Sequence, residues 1–103
     1  MSDIEVRDVP DEGRFEAVRD GQVVGHIGYR RTPRGYALLH TEVDPAAEGS
    51  GVGSALARGT LDSLRDNGFE VLPYCPFVKG WIARHDEYLP LVPEAQRAAF
   101  GLA

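Results

Sequence analysis

Three glycines in alternate positions, Gly49, Gly51 and Gly53, stand where the sequence changes from a strand pattern to a helical one. Glycine lets a ligand approach the backbone closely, and the amide groups at the start of a helix attract anions. A strand ending at Val43, then this loop, then a helix therefore predicts a phosphate site that would suit a pyrophosphate. The loop alone leaves a second interpretation open, a glycine-rich helix start without a ligand.

The glycine spacing disfavours the two commonest nucleotide-binding motifs. It is not G-x-G-x-x-G, and the preceding strands form a meander instead of βαβ units, which disfavours a dinucleotide fold. No Gly-Lys-Ser/Thr follows the loop, which disfavours a Walker-type site. The net charge of -5 argues against a nucleic-acid partner, because binding along a phosphate backbone needs clustered Lys and Arg.

His40 and Glu42 are the ionisable residues of the strand that leads to this loop. Strict alternation predicts that Leu38, His40 and Glu42 share one face of that strand. We expect His40 and Glu42 to be catalytic residues, because either side chain could relay a proton directly or through water. A surface carboxylate and a hydrogen-bonded histidine are the alternative interpretation.

Cys75 is the only cysteine and follows the last predicted strand, beside the start of a second helix. A thiolate in that position is a candidate catalytic nucleophile, which would form a covalent intermediate and give a two-step route. The alternative is a small buried apolar residue. One cysteine excludes an internal disulfide and a multi-cysteine zinc site, no metal cluster is apparent, and a reducing compartment fits best.

Length and composition predict one soluble domain over residues 1–103. Apolar residues make up 43% of the chain and charged residues 26%, as in ordinary globular proteins. The N-terminus lacks the basic start and apolar stretch of a signal peptide, and no run approaches the ~18 apolar residues of a membrane span. We therefore expect a cytoplasmic protein without a membrane partner.

The periodicity predicts an α/β (α+β) fold with a mixed sheet. Helices are expected from Gly51 to about residue 66 and from Phe77 to about His85, the second with Phe77, Trp81 and Ile82 in its apolar stripe. An antiparallel meander precedes them, and a parallel crossover through the first helix leads to the last strand. The predicted strands span residues 4–8, 14–19, 23–31, 36–43 and 69–72.

The loop resembles the acyl-CoA binding turn of the GNAT superfamily, written Gln/Arg-x-x-Gly-x-Gly/Ala, with Glu48 to Gly53 in register. The segment from Pro73 to Tyr88 is similar to the strand and helix of a small GNAT-like family that carries a Cys-Pro-Phe motif. The same family has a His-Thr-Glu-Val stretch like residues 40–43. Three segments in the right order carry the resemblance, which covers roughly residues 20–92.

The resemblance implies a GNAT-like mixed sheet and an N-acetyltransferase that transfers an acetyl group from acetyl-CoA to an amine. The pantetheine would lie between the strand ending near Val43 and the strand near Leu72, with the pyrophosphate on the loop amides. A chain this short lacks the elements that usually shape the acceptor pocket, so an open site suited to a protein or peptide amine is expected. The expected cofactor-binding residues are Val43, Glu48, Gly49, Ser50, Gly51, Val52, Gly53, Ser54 and, from the second helix, Lys79.

Glu48 departs from the superfamily pattern, because it stands where Gln or Arg is usual and a carboxylate repels a pyrophosphate. A CoA-binding sensor with little or no catalysis is therefore the rival prediction. A third is an interaction module whose glycine loop is purely structural. For Lys79, a solvated position on the helix surface is the alternative to a phosphate contact.

Overall fold

The computed structural model describes residues 4–102 and contains a five-stranded sheet with two α-helices. The sheet runs in chain order, with β1 to β4 antiparallel and β5 parallel to β4. The predicted mixed sheet, a meander followed by a parallel crossover, is confirmed. The elements are β1 (Glu5–Val9), β2 (Arg14–Arg19), β3 (Gln22–Arg31), β4 (Gly35–Val43), α1 (Val52–Asp66), β5 (Glu70–Pro73) and α2 (Pro76–Arg84).

The turns form where the sequence places residues that tolerate a positive φ. Asp20 and Gly21 have φ of 52° and 79°, the pair of values that lets a two-residue hairpin follow the twist of β2 and β3. Gly68, with φ of 76°, ends α1, and the Phe69 N–H then donates to the Leu64 carbonyl at 2.9 Å. These local signals fix where the meander reverses and where the crossover returns to the sheet.

Both helices pack on the same face of the sheet. A Cβ on Gly25 of β3 would lie 3.2 Å from Val52, and one on Gly59 of α1 would lie 2.7 Å from Val6 of β1, so glycine permits the close approach. The core between these layers is apolar and includes Phe15, Ile27, Leu38, Leu56, Leu61, Val71, Val78 and Ile82.

A β-bulge in β4 overturns the predicted alternation of that strand. Gly28 pairs with His40 and the next residue, Tyr29, pairs with Leu38, so Leu39 is one extra residue. Because Gly28 and Tyr29 point to opposite faces, so do their partners. Leu38 is therefore buried beneath the helices, whereas His40 lies on the other face.

The segment after α2 folds back onto α1 through Tyr88, which is buried. Its hydroxyl donates to Asp62 at 2.7 Å and accepts from Arg58 at 3.2 Å. The segment forms short 3₁₀ turns at Asp86–Leu91, Glu94–Gln96 and Ala98–Phe100. None of the helices within residues 4–102 combines the length and the apolar character needed to cross a membrane.

Candidate functional site

The backbone of the glycine loop, residues 48–53, curls tightly before α1 begins. Asp44 accepts a hydrogen bond from Ala46 N–H at 3.0 Å and so starts the short turn that leads into the loop. Gly49 and Gly51 have φ of 82° and 84°, a left-handed conformation that favours glycine. Gly51 is the N-cap of α1 and has no side chain that could accept hydrogen bonds from the first amides of the helix, so these amides remain available to an anion.

A cavity of about 320 Å³, the loop cavity, lies beside these amides. Seven of its lining residues are ones that the sequence predicted to bind a cofactor, and Ala47 and Phe77 are additional. Ser50 and Lys79 do not line it. The lining residues are Val43, Ala47, Glu48, Gly49, Gly51, Val52, Gly53, Ser54 and Phe77.

Phe77 closes the loop cavity on the side of α2. The sequence predicted Phe77 in the apolar stripe of that helix, but the core residues are Val78, Trp81 and Ile82, and Phe77 is 37% exposed. A Cβ on Gly53 would lie 3.0 Å from Phe77 Cζ, so a residue without a side chain allows the ring to reach the loop. With Val43 and Val52, Phe77 gives the cavity an apolar wall.

Ser50 faces β2 instead of the loop cavity. Its hydroxyl donates to the Ala47 carbonyl and accepts a hydrogen bond from Arg19 Nη1 at 3.1 Å, while Arg19 Nη2 donates to the Ser50 carbonyl at 3.3 Å. Sequence reasoning missed Arg19, because a charged residue before a hairpin turn gives no sign of a partner 31 positions away.

The sheet opens between β4 and β5 because their pairing ends at Leu38 and Pro73, whereas β4 continues to Val43 beside the loop cavity. The Cys75 N–H donates to the Leu38 carbonyl at 2.8 Å, after which the chain leaves the sheet and enters α2. Just after the end of β4, the Asp44 N–H donates to the Val24 carbonyl of β3 at 2.8 Å. Backbone N–H and C=O groups alternate in direction along a strand. Because those of Asp44 point toward β3, the N–H and C=O of Val43 point away from β3, toward this opening.

His40 and Glu42 lie together with His26, a residue that sequence reasoning did not single out. His26 Nε2 is 3.7 Å from Glu42 Oε2, and the rings of His26 and His40 meet edge to face with centroids 5.6 Å apart. Burial, and next the positive charge of Arg14, lower the pKa of His26, so its imidazole is a neutral proton acceptor at pH 7. A second cavity of about 220 Å³, which includes His26, Glu42 and Val43, adjoins this cluster.

Cys75 is buried on the opposite face of the sheet from this cluster. Its Sγ lies 2.9 Å from Thr41 Oγ1, and Thr41 precedes Glu42 on β4, so the two side chains point to opposite faces. The structure therefore does not bring Cys75 together with His40 and Glu42. Within residues 4–102, no group of three or more His, Cys, Asp or Glu residues is placed to hold a metal ion.

Charge in the loop cavity is sparse. Glu48 is exposed and is the one ionisable residue in the lining. Lys79 is half-buried on α2, away from that lining. An anion in the cavity would therefore meet backbone amides and a carboxylate, with positive charge supplied from outside the lining.

Comparison with known proteins identifies the family to which the chain belongs. None of the curated proteins matches the chain. Residues 14–91, which include β2 to β5, the glycine loop, both helices and the segment containing Tyr88, match the model of a family described as GCN5-related N-acetyl-transferase. The match covers most of the sequence and agrees with the order of strands and helices in the structure. The chain therefore belongs to the GCN5-related N-acetyltransferase family.

Proposed function

We propose that this chain is an N-acyltransferase that uses acetyl-CoA and transfers the acetyl group to an amine. The observation that carries the proposal is the loop cavity, in which the uncapped amides at the start of α1 adjoin an apolar wall. The amides suit a pyrophosphate, and the wall formed by Val43, Val52 and Phe77 suits the pantetheine. Membership of an acetyltransferase family supports the same ligand.

In the proposed reaction, the opening between β4 and β5 receives the thioester. The Val43 amide would stabilise the oxyanion that forms when the amine nitrogen attacks the carbonyl carbon. Collapse of this intermediate forms the amide bond, breaks the carbon–sulfur bond and releases the thiolate of CoA, which takes up a proton. Glu42, with the neutral His26 and with His40, would accept the proton that the amine loses.

The lining of the second cavity favours an amine as the acceptor. It shares Val43 with the loop cavity and also includes Glu42 and Asp44, two carboxylates that would attract a cationic amine before it is deprotonated. Both cavities are open to solvent, and an open site suits the amine of a protein or peptide. We also propose a reducing compartment such as the cytoplasm, since a chain with one cysteine does not depend on an internal disulfide.

A CoA-binding protein without efficient catalysis is the second candidate. Two observations favour it: Glu48 is the one ionisable residue in the lining of the loop cavity, and the Glu42 side chain is 71% exposed, where water weakens its action as a base. Such a protein would use the cavity as a sensor of acetyl-CoA.

A thermal shift measurement tests CoA binding first. Acetyl-CoA at ~100 times its dissociation constant should raise the stability by about 2.7 kcal/mol, and no shift would exclude both candidates. Acetyl transfer to a panel of small amines and peptides then separates them. Turnover on any acceptor identifies the enzyme, whereas binding without turnover across the panel identifies the sensor.

A further inference from the structure

Arg19, at the end of β2, makes two hydrogen bonds to the middle of the glycine loop. Its Nη1 donates to Ser50 Oγ at 3.1 Å and its Nη2 donates to the Ser50 carbonyl at 3.3 Å. A guanidinium that binds two acceptors of one residue fixes direction as well as distance. The loop is therefore tied to the sheet at the residue between its two left-handed glycines.

The charge of Arg19 has no counter-ion among residues 4–102. Arg14, further back on the same strand, pairs with Glu16 at 2.7 Å, but no carboxylate of the described residues lies within 4.0 Å of Arg19. Arg19 Nε is buried and has no hydrogen-bond partner in that part of the chain. A partly buried cation without a counter-ion is costly, and a nearby anion would reduce this cost.

The contact with the Ser50 carbonyl also sets the direction of the next amide. In a trans peptide the C=O and the following N–H point in opposite directions, and the chain contains no cis peptide bonds within the described residues. Because Arg19 binds the Ser50 carbonyl on the side of β2, the Gly51 N–H points to the other side. Gly51 lines the loop cavity there.

We propose that Arg19 is a positioning residue for the pyrophosphate of CoA. It orients the Ser50–Gly51 peptide so that the Gly51 N–H faces the ligand, and it supplies from β2 the positive charge that Glu48 does not supply within the loop. This inference rests on the proposed function, because it assigns a role toward the same ligand.

Three variants separate this role from a general effect of charge. Arg19→Gln removes the charge and one of the two hydrogen bonds. Arg19→Lys keeps the charge but loses the planar guanidinium that makes both bonds at once. Arg30→Gln is the matched control, because Arg30 is exposed on β3 and its loss changes the net charge equally. Affinity is measured by calorimetry with CoA and with dephospho-CoA, which keeps the pyrophosphate but lacks the 3′-phosphate.

We expect Arg19→Gln to weaken the binding of both ligands about tenfold, the usual effect of losing a hydrogen bond from a charged group. Arg19→Lys should weaken their binding less. Arg30→Gln should bind like the wild type. Equal affinity of Arg19→Gln and wild type would overturn the inference. A loss confined to CoA would also overturn it, because Arg19 would then contact the 3′-phosphate.

A measurement without ligand keeps the two proposals distinct. The amide resonance of Gly51 in a ¹⁵N–¹H spectrum should shift in Arg19→Gln and stay unchanged in Arg30→Gln, and the rest of the spectrum reports whether each variant is folded. An unshifted Gly51 resonance would overturn the positioning role. A wild-type protein that binds no CoA would instead overturn the proposed function.

Discussion

Phe77 contacts Gly53 so closely that a Cβ on the glycine would lie 3.0 Å from Phe77 Cζ. The contact joins the first turn of α2 to the first turn of α1 and closes one side of the loop cavity. Replacing Gly53 with alanine has two opposing effects on stability. Alanine has a higher helix propensity than glycine, which stabilises α1, but its methyl group would lie too close to the Phe77 ring and displace it.

Gly53→Ala should therefore weaken CoA binding about fivefold or more while the protein stays about as stable, because the half-exposed ring can move but the cavity narrows. Gly80→Ala in α2 is the control. A Cβ on Gly80 would make an ordinary contact, 3.4 Å from Arg84 Nη1, so this variant should gain about 0.5–1 kcal/mol and bind CoA normally. Unchanged affinity in Gly53→Ala would mean that the ligand does not use this wall.

Glu48→Gln should tighten CoA binding by roughly two- to fivefold, because it removes a negative charge from the lining of an anion site. The gain stays modest since Glu48 is exposed, and it should shrink as salt is added. Calorimetry at low and high ionic strength measures both effects. Glu12→Gln, at the β1–β2 connection, changes the net charge equally and should have no effect. No change in Glu48→Gln would show that its carboxylate points away from the pyrophosphate.

Cys75→Ala should keep kcat within about twofold, because a buried thiol against Thr41 cannot meet an acceptor that approaches from the opposite face. We expect a loss of about 1–2 kcal/mol in unfolding free energy from the missing sulfur. Steady-state kinetics and urea unfolding measure the two effects. A folded variant without turnover, together with an acetylated wild-type intermediate in mass spectrometry, would establish the two-step route instead.

Glu16 is 5% exposed on β2, and Arg14 and Arg7 bind its carboxylate at 2.7 Å and 3.4 Å. The hydrogen bond from Arg14 lowers the pKa of Glu16 against the opposing effect of burial. The pKa of Glu16 in the folded protein lies below its value of about 4.3 in the unfolded chain, so the ionised carboxylate stabilises the protein above that pH. This stabilisation is lost as the pH falls through the folded pKa. Glu16→Gln should cost about 1–3 kcal/mol at pH 7, and this cost should decrease progressively as the pH falls below about 4.3 in urea unfolding. A pH-independent difference would contradict this account.

The sequence predicted the order of strands and helices because each signal is local. Asp20-Gly21 and Gly68 determine the backbone at their own positions, and the change of period at Gly51 marks the helix within one turn. The bulge at Leu39 has no such signal. It depends on which residues of β3 and β4 pair, so strict alternation placed Leu38 with His40 and was wrong.

The candidate site shows the same division between local and long-range information. The glycine spacing identified most of the loop cavity, but Arg19 reaches Ser50 from 31 positions away and His26 meets Glu42 only through strand pairing. Phe77 looked like a core residue because its spacing suits an apolar stripe. Only the packing of α2 beside α1 turns it toward the cavity.

Glu42→Gln tests whether the His26, His40 and Glu42 cluster accepts the proton of the amine. We expect kcat to fall about tenfold, less than the ~10²–10⁴-fold typical of a general base because the side chain is 71% exposed, with KM for acetyl-CoA unchanged. Because the pKa of His26 is lowered, its neutral form persists as the pH falls, and wild-type kcat should stay level from pH 8 to about 6.5 and decline only below. Steady-state rates across this range, with Glu12→Gln as the charge control, measure both effects. Wild-type kcat in Glu42→Gln would exclude the carboxylate as the base.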